Sequence, residues 1–151
     1  MITRQTANDF IEAKKFALVG ASTNKKKFST VAMRELKKKG YQIIPVNPKA
    51  ESIEEEKCYP DIGSLPAEID SILIMTPKTE TLKVLKEAEA KNIKNIWIQQ
   101  GAQSPEVMDY IKEKNLNIIA KECIMMYADP VEGGHKFHRF IWKLIGKYAK
   151  N

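Results

Sequence analysis

The stretch Phe16-Ala17-Leu18-Val19-Gly20-Ala21-Ser22-Thr23-Asn24-Lys25-Lys26-Lys27-Phe28-Ser29 joins a buried-strand pattern to a helix start through a loop that opens on glycine and carries three lysines. Apolar residues run up to Gly20, and Ser29 is the expected N-cap of a helix carrying Val31, Ala32, Met33 and Leu36. A helix N-terminus behind a glycine turn offers unpaired backbone N–H groups and the positive end of the macrodipole to an anion. With Lys25, Lys26 and Lys27 beside it, the stretch reads as a phosphate cradle.

On either side of this stretch, apolar runs alternate with helical patterns along the chain. Strands are expected at Phe16–Gly20, Gln42–Val46, Ser71–Thr76, Asn95–Gln99 and Asn117–Ala120, all short and rich in Ile and Val, as strands covered on both faces require. A short segment over Thr6–Lys15 should turn Phe10 and Ile11 inward. Ser29–Lys39 should be a helix closed by Gly40, and Glu80–Lys91 a helix with Leu82, Val84, Leu85 and Ala88 near one stripe. Ser104-Pro105-Glu106 combines a cap, a proline at the first helical position and an acid in the first turn.

Pro45 is awkward inside a strand because it donates no ladder hydrogen bond, so it belongs near the strand's end. Lys49–Glu56 reads as a polar loop, and Lys57-Cys58-Tyr59 as a short edge strand. The pattern is βαβ throughout, which predicts a Rossmann-like α/β fold, a doubly wound parallel sheet with flanking helices. A single domain is expected over residues 1–151, with a core from about 16 to 129. A closing amphipathic helix over about 133–150 carries Phe137, Phe140, Ile141, Leu144, Ile145 and Tyr148 on one face.

The chain carries 25 Lys and Arg against 19 Asp and Glu, a net charge of +6. The lysines are interleaved with glutamates, which describes solvated helix faces and leaves only a local basic patch for a phosphorylated ligand. Neither a clustered basic face nor aromatic stacking platforms point to nucleic acid. Residues 1–15 hold Arg4, Asp9, Glu12, Lys14 and Lys15 and no long apolar run, so no membrane association is expected and the setting is cytoplasmic. Cys58 and Cys123 are far apart and imply no disulfide framework.

In a doubly wound sheet the ligand crevice lies at the carboxyl ends of the strands, where strand order reverses. The loops there are Gly20–Phe28, Asn47-Pro48-Lys49, Thr76-Pro77-Lys78, Gln99-Gln100-Gly101 and the segment around Lys121-Glu122-Cys123. A dinucleotide site would show G-x-G-x-x-G after the first strand and an acid about twenty residues on. Only Gly20 matches the glycines, and the second strand ends in Asn47-Pro48-Lys49. That disfavours NAD and leaves NADP or coenzyme A, whose ribose phosphate and pyrophosphate both call for cations.

Val19-Gly20-Ala21-Ser22, Lys27-Phe28-Ser29, Gly40-Tyr41 with Pro45-Val46-Asn47-Pro48, Ile96-Trp97-Ile98-Gln99-Gln100-Gly101 and Cys123-Ile124, in this order and spacing, resemble the small stand-alone coenzyme A-binding proteins. Their Rossmann-like domain is similar to the coenzyme A-binding domain of the succinyl-CoA synthetase alpha subunit. The resemblance implies that Gly20, Ala21 and Ser22 lie against a pyrophosphate, with Lys26 or Lys27 supplying charge. It places Val46, Asn47, Pro48 and Lys49 at the adenosine and its ribose phosphate, and Met75, Thr76 and Pro77 at the pantetheine arm. Phe28 stands where the family often has proline, and Thr76-Pro77 replaces a loop that bears arginine in many members. The synthetase's phosphorylated histidine lies in another domain, so ligase activity is not implied.

Several residues have a structural role to set against a ligand role. Ser22 and Ser29 are phosphate contacts or simply turn and cap residues. Gln99, Gln100 and Gly101 could present an amide pair to a polar ligand edge or form only a helix-entry turn. Trp97 belongs to the core. Cys123, after the last strand, could meet the thiol end of coenzyme A, even as a mixed disulfide, though a buried apolar cysteine is the simpler reading. His135 and His138 near Asp129 and Glu132 make too weak a set for a metal site. The expected protein therefore binds coenzyme A or an acyl-CoA, without a catalytic constellation or a metal, alone, as a homo-oligomer or beside a partner enzyme; an NADP-binding oxidoreductase-like protein is the alternative.

Overall fold

Alternation within the strands sets the layers of this protein, which a computed structural model describes over residues 4–128. In β1 (Lys15–Val19), Phe16 and Leu18 join one buried cluster while Ala17 and Val19 join another. The same split recurs in β5 (Ser71–Ile74), with Leu73 opposed to Ile72 and Ile74, and in β6 (Asn95–Gln99), with Trp97 opposed to Ile96 and Ile98. A strand whose successive side chains all find apolar partners must be covered on both faces.

One face is covered by α1 (Arg4–Glu12), α2 (Phe28–Lys38) and a 3₁₀ turn over Ile124–Met126, through Phe10, Met33, Leu36 and Ile124. The other is covered by α3 (Lys78–Ala90) and α4 (Pro105–Glu113), through Val84, Leu85, Ala88 and Val107. With β2 (Gln42–Val46) and β7 (Ile119–Glu122) the parallel sheet runs β2-β1-β5-β6-β7. The order reverses between β1 and β5, which makes their carboxyl ends the switch point of the expected doubly wound fold.

The expected strands all form, two of them with the anticipated bounds, and the others end within two residues of expectation. Gly40 follows the α2 C-cap at φ +88°, the left-handed conformation that suits glycine. Ser104 caps α4 by accepting from Val107 N at 3.2 Å, with Pro105 next. Trp97 is fully buried, its Nε1 donating to the Glu122 carbonyl at 3.1 Å. Pro45 lies in β2 at the sheet's edge, and its carbonyl accepts from Tyr59 N at 3.0 Å.

Two expectations need correction. Ser29 is not the α2 cap: the cap is Lys27, whose N–H donates to the Asn24 carbonyl at 3.1 Å, and Ser29 is buried inside the first turn. Lys49–Glu56 is not merely loop. It holds β3 (Ser52–Ile53), which pairs antiparallel with β4 (Glu56–Lys57) across a tip made by Glu54 and Glu55. The closing helix expected over about 133–150, and the His135/His138 set, lie outside the described residues. No helix among the described residues is long and apolar enough to cross a membrane.

Candidate functional site

All five parallel strands end on one edge, so the loops after β1, β2, β5, β6 and β7 gather there. Hydrogen bonds carry the ladder just past the strand ends: Gly20 N donates to the Val46 carbonyl at 3.3 Å, Met75 N to the Val19 carbonyl at 2.8 Å and Gln100 N to the Glu122 carbonyl at 3.0 Å. Gly20 lies so close to β5 that a Cβ would fall 2.7 Å from the Met75 carbonyl carbon and oxygen and 2.9 Å from Thr76 N, at φ +95°. The glycine that opens the lysine loop is thus also what lets the switch point close.

A cleft of about 740 Å³ opens at this point. It brings together Gly20, Val46, Asn47, Pro48, Lys49, Thr76 and Pro77 of the residues singled out in the sequence. Its far wall includes Pro60, Asp61 and Ile62, and Glu80, Lys83, Val84 and Glu87 of α3. The α3 residues were legible only as a helical face: the spacing 80, 83, 84, 87 puts them on one side, and β5 delivers that side to the switch point.

Asn47 is committed to the loops themselves. Its Nδ2 donates to the Ala21 carbonyl at 2.7 Å, and its Oδ1 accepts from Lys49 N at 2.7 Å. Ser22 Oγ accepts from Asn24 N at 3.1 Å, and its carbonyl accepts from Thr30 Oγ1 at 2.8 Å. Asn24 Oδ1 in turn accepts from Lys26 N at 3.0 Å. The lysine loop is therefore a folded object, with the Lys25, Lys26 and Lys27 side chains exposed on it. Buried beneath the first turn of α3, Thr81 Oγ1 donates to the Ala102 carbonyl at 2.7 Å. Its one proton being used, Thr76 is the donor in their 2.9 Å contact.

The remaining sequence candidates do not line this cleft. Ala21 and Ser29 are buried, and Met75 is half-buried against the core beneath α2. Gln99 is buried with its Oε1 accepting from Ile124 N at 3.1 Å, which ties β6 to the 3₁₀ turn. Gly101 sits in the exposed turn beyond it at φ +94° and donates its N–H to Gln103 Oε1 at 2.9 Å. Cys123 is 5% exposed, so a mixed disulfide has no approach to its sulfur in this conformation.

The cleft is electrostatically mixed. Lys49 and Lys83 face Asp61, Glu80 and Glu87, and Asp61 Oδ1 accepts from Ser64 N at 2.7 Å. Next to the edge, burial pushes the Glu122 carboxyl above the usual carboxylate range, partly opposed by the hydroxyl of Tyr127, which donates to Oε2 at 2.9 Å. Burial likewise raises the Cys58 thiol, whose Sγ lies 3.7 Å from the Asn47 carbonyl. Among the described residues no group of three or more His, Cys, Asp and Glu is placed to hold a metal ion.

A parallel five-stranded sheet with a cleft at its order reversal, opened by the Gly20 turn, defines a Rossmann-like α/β protein. The family model described as CoA binding domain matches residues 14–129, and the chain belongs to that family. It is 34% identical over 117 residues to an ADP-forming acetate–CoA ligase of Methanocaldococcus jannaschii, a match covering 78% of this chain and 16% of the ligase. Among solved structures, it is 36% identical to a conserved hypothetical protein from Pyrococcus furiosus, with TM-score 0.70 over 75% of this chain and 97% of the other. A hypothetical protein from Pyrococcus horikoshii is 29% identical, with TM-score 0.76 over 87% and 94% of the two chains.

Proposed function

We propose that this chain binds coenzyme A or an acyl-CoA across the carboxyl edge of its sheet, as a binding unit whose acyl chemistry is supplied by a partner. The observation that carries the reading is the cleft where Gly20, Asn47-Pro48-Lys49 and Thr76-Pro77 converge, inside the segment that matches the family. The pyrophosphate would lie along Gly20, Ala21 and Ser22 at the start of α2, with Lys26 and Lys27 neutralising it. Lys49 would take the ribose phosphate, and Met75, Thr76 and Pro77 would flank the pantetheine arm. Asp61, Glu80 and Glu87 are poor neighbours for phosphate but good acceptors for the adenine amine and ribose hydroxyls, which orients the nucleoside toward α3.

In this reading Ser29 and Gln99 act from beneath the site, by packing and by fixing the 3₁₀ turn, while Gln100 and Gly101 border its rim. The ligase relative is roughly six times longer than the matched stretch, so transfer to or from an acyl group is assigned to a separate catalytic unit. A cytoplasmic setting, where thiols stay reduced, fits the two free buried cysteines. Thermal-shift screening with coenzyme A, acetyl-CoA, NAD, NADP and ATP tests the assignment. A ligand at 100 times its dissociation constant adds about 2.7 kcal/mol, or several degrees at roughly 2–4 °C per kcal/mol. A shift with NADP and none with coenzyme A overturns it.

A further inference from the structure

The β3–β4 hairpin turns on two glutamates, Glu54 at φ +48° and Glu55 at φ +67°. A two-residue turn with positive φ at both central positions is the kind that favours asparagine and glycine, since a side chain there is strained. Such backbone persists only where surrounding contacts dictate it. Here they are visible, and all come from α2. Arg34 Nε donates to Glu54 Oε2 at 3.2 Å, and Lys37 Nζ reaches the Glu54 carbonyl at 3.1 Å and Glu56 Oε1 at 2.7 Å.

Arg34 also faces the other way. Its Nη2 donates to the Lys25 carbonyl at 2.9 Å, in the middle of the lysine loop. The planar guanidinium thus spans the hairpin tip and the loop in one rigid group, which lysine could not do. Thr23, Lys25, Arg34, Lys37 and Glu54 all line the groove between hairpin and loop, so the connection is local and continuous.

We propose that Glu54 and Arg34 are positioning residues for ligand binding: Glu54 fixes the guanidinium, and the guanidinium fixes the Lys25 carbonyl, holding Lys25, Lys26 and Lys27 in the arrangement that meets the ligand's phosphates. The hairpin is the brace of the lysine loop, and its strained glutamate turn exists to deliver the Glu54 carboxylate. The identity of the ligand rests on the coenzyme A reading; the mechanical coupling does not.

The test compares Glu54→Gln, Arg34→Lys and the control Glu55→Gly by two measurements. The first is amide exchange at Asn24, Lys26 and Lys27 without ligand, followed by NMR. Glu54→Gln and Arg34→Lys should each speed exchange at these amides about two- to fivefold, the range set by an exposed ion pair. Glu55→Gly, which relieves strain but keeps the Glu54 carboxylate, should leave them unchanged. The second is titration with coenzyme A, where the dissociation constant should rise by the same factor in the first two variants and stay at the wild-type value in the control. Wild-type exchange at all three amides in Glu54→Gln overturns the brace, even if coenzyme A binds normally. Faster exchange in a protein that takes up no coenzyme A upholds the brace and overturns the ligand assignment instead.

Discussion

The Asn47 side chain donates to the Ala21 carbonyl at 2.7 Å and so ties the loop after β2 to the loop after β1. Its Oδ1 simultaneously holds Lys49 N at 2.7 Å, which makes one amide the joint between two segments at the switch point. Replacing it removes two hydrogen bonds and frees Lys49. Asn47→Ala should lower stability by about 1–3 kcal/mol and weaken coenzyme A binding. Urea unfolding and calorimetric titration of the same variant measure both.

Gly20→Ala should be worse for the fold than any other single methyl added at this edge. The new Cβ would meet the Met75 backbone at 2.7 Å, and φ at +95° already disfavours an L side chain. A backbone clash cannot be relieved by a rotamer change. A loss of about 2–4 kcal/mol is expected, read as a drop in the urea midpoint.

How far the site was legible in the sequence depended on whether its geometry was local. Gly40 and the Ser104-Pro105 start are set by nearby backbone, and each stands where the residue pattern put it; Gly20 was legible as a turn glycine, while the Met75 backbone that also requires it lies far away in sequence. Ser29 had the right chemistry for a cap, but the Asn24 carbonyl captures Lys27 N and starts the helix at Phe28, so Ser29 goes into the core. The Glu54-Glu55 turn defied reading for a deeper reason: its residues oppose the turn locally, and Arg34 and Lys37 of α2 impose it. Gln99 looked like a ligand amide because nothing in the sequence announced that Ile124 N would need an acceptor. The extra residue that shifts β7 against β6, with Lys121 at φ +64° and Glu122 turned inward, was equally invisible.

Glu122 gives a pH signature. Its folded-state carboxyl titrates above the unfolded value because burial disfavours the charge, so the favourable contribution is fully present below the unfolded pKa and lost as pH rises through the folded one. Glu122→Gln keeps an acceptor for Tyr127 and abolishes the charge. The variant should melt higher than wild type near pH 8, and the advantage should vanish on descending toward about pH 4. Melting curves of both proteins across that range check the sign.

Ser104→Ala deletes the acceptor for Val107 N at the start of α4. A cost of about 1 kcal/mol is expected, or roughly 2–4 °C in Tm. Because no residue of α4 lines the cleft, affinity for coenzyme A should be unaltered, which separates stability from binding.

The proposed coenzyme A site at the β1/β5 reversal draws its cations from Lys49 in the cleft and from the neighbouring lysine loop. Calorimetric titration of wild type and Lys49→Ala with coenzyme A and with its dephospho form, lacking the ribose phosphate, tests it most directly. Wild type should bind coenzyme A saturably and the dephospho form more weakly, and Lys49→Ala should no longer tell the two apart. Equal affinity of wild type for both forms, or no heat with either, would contradict it.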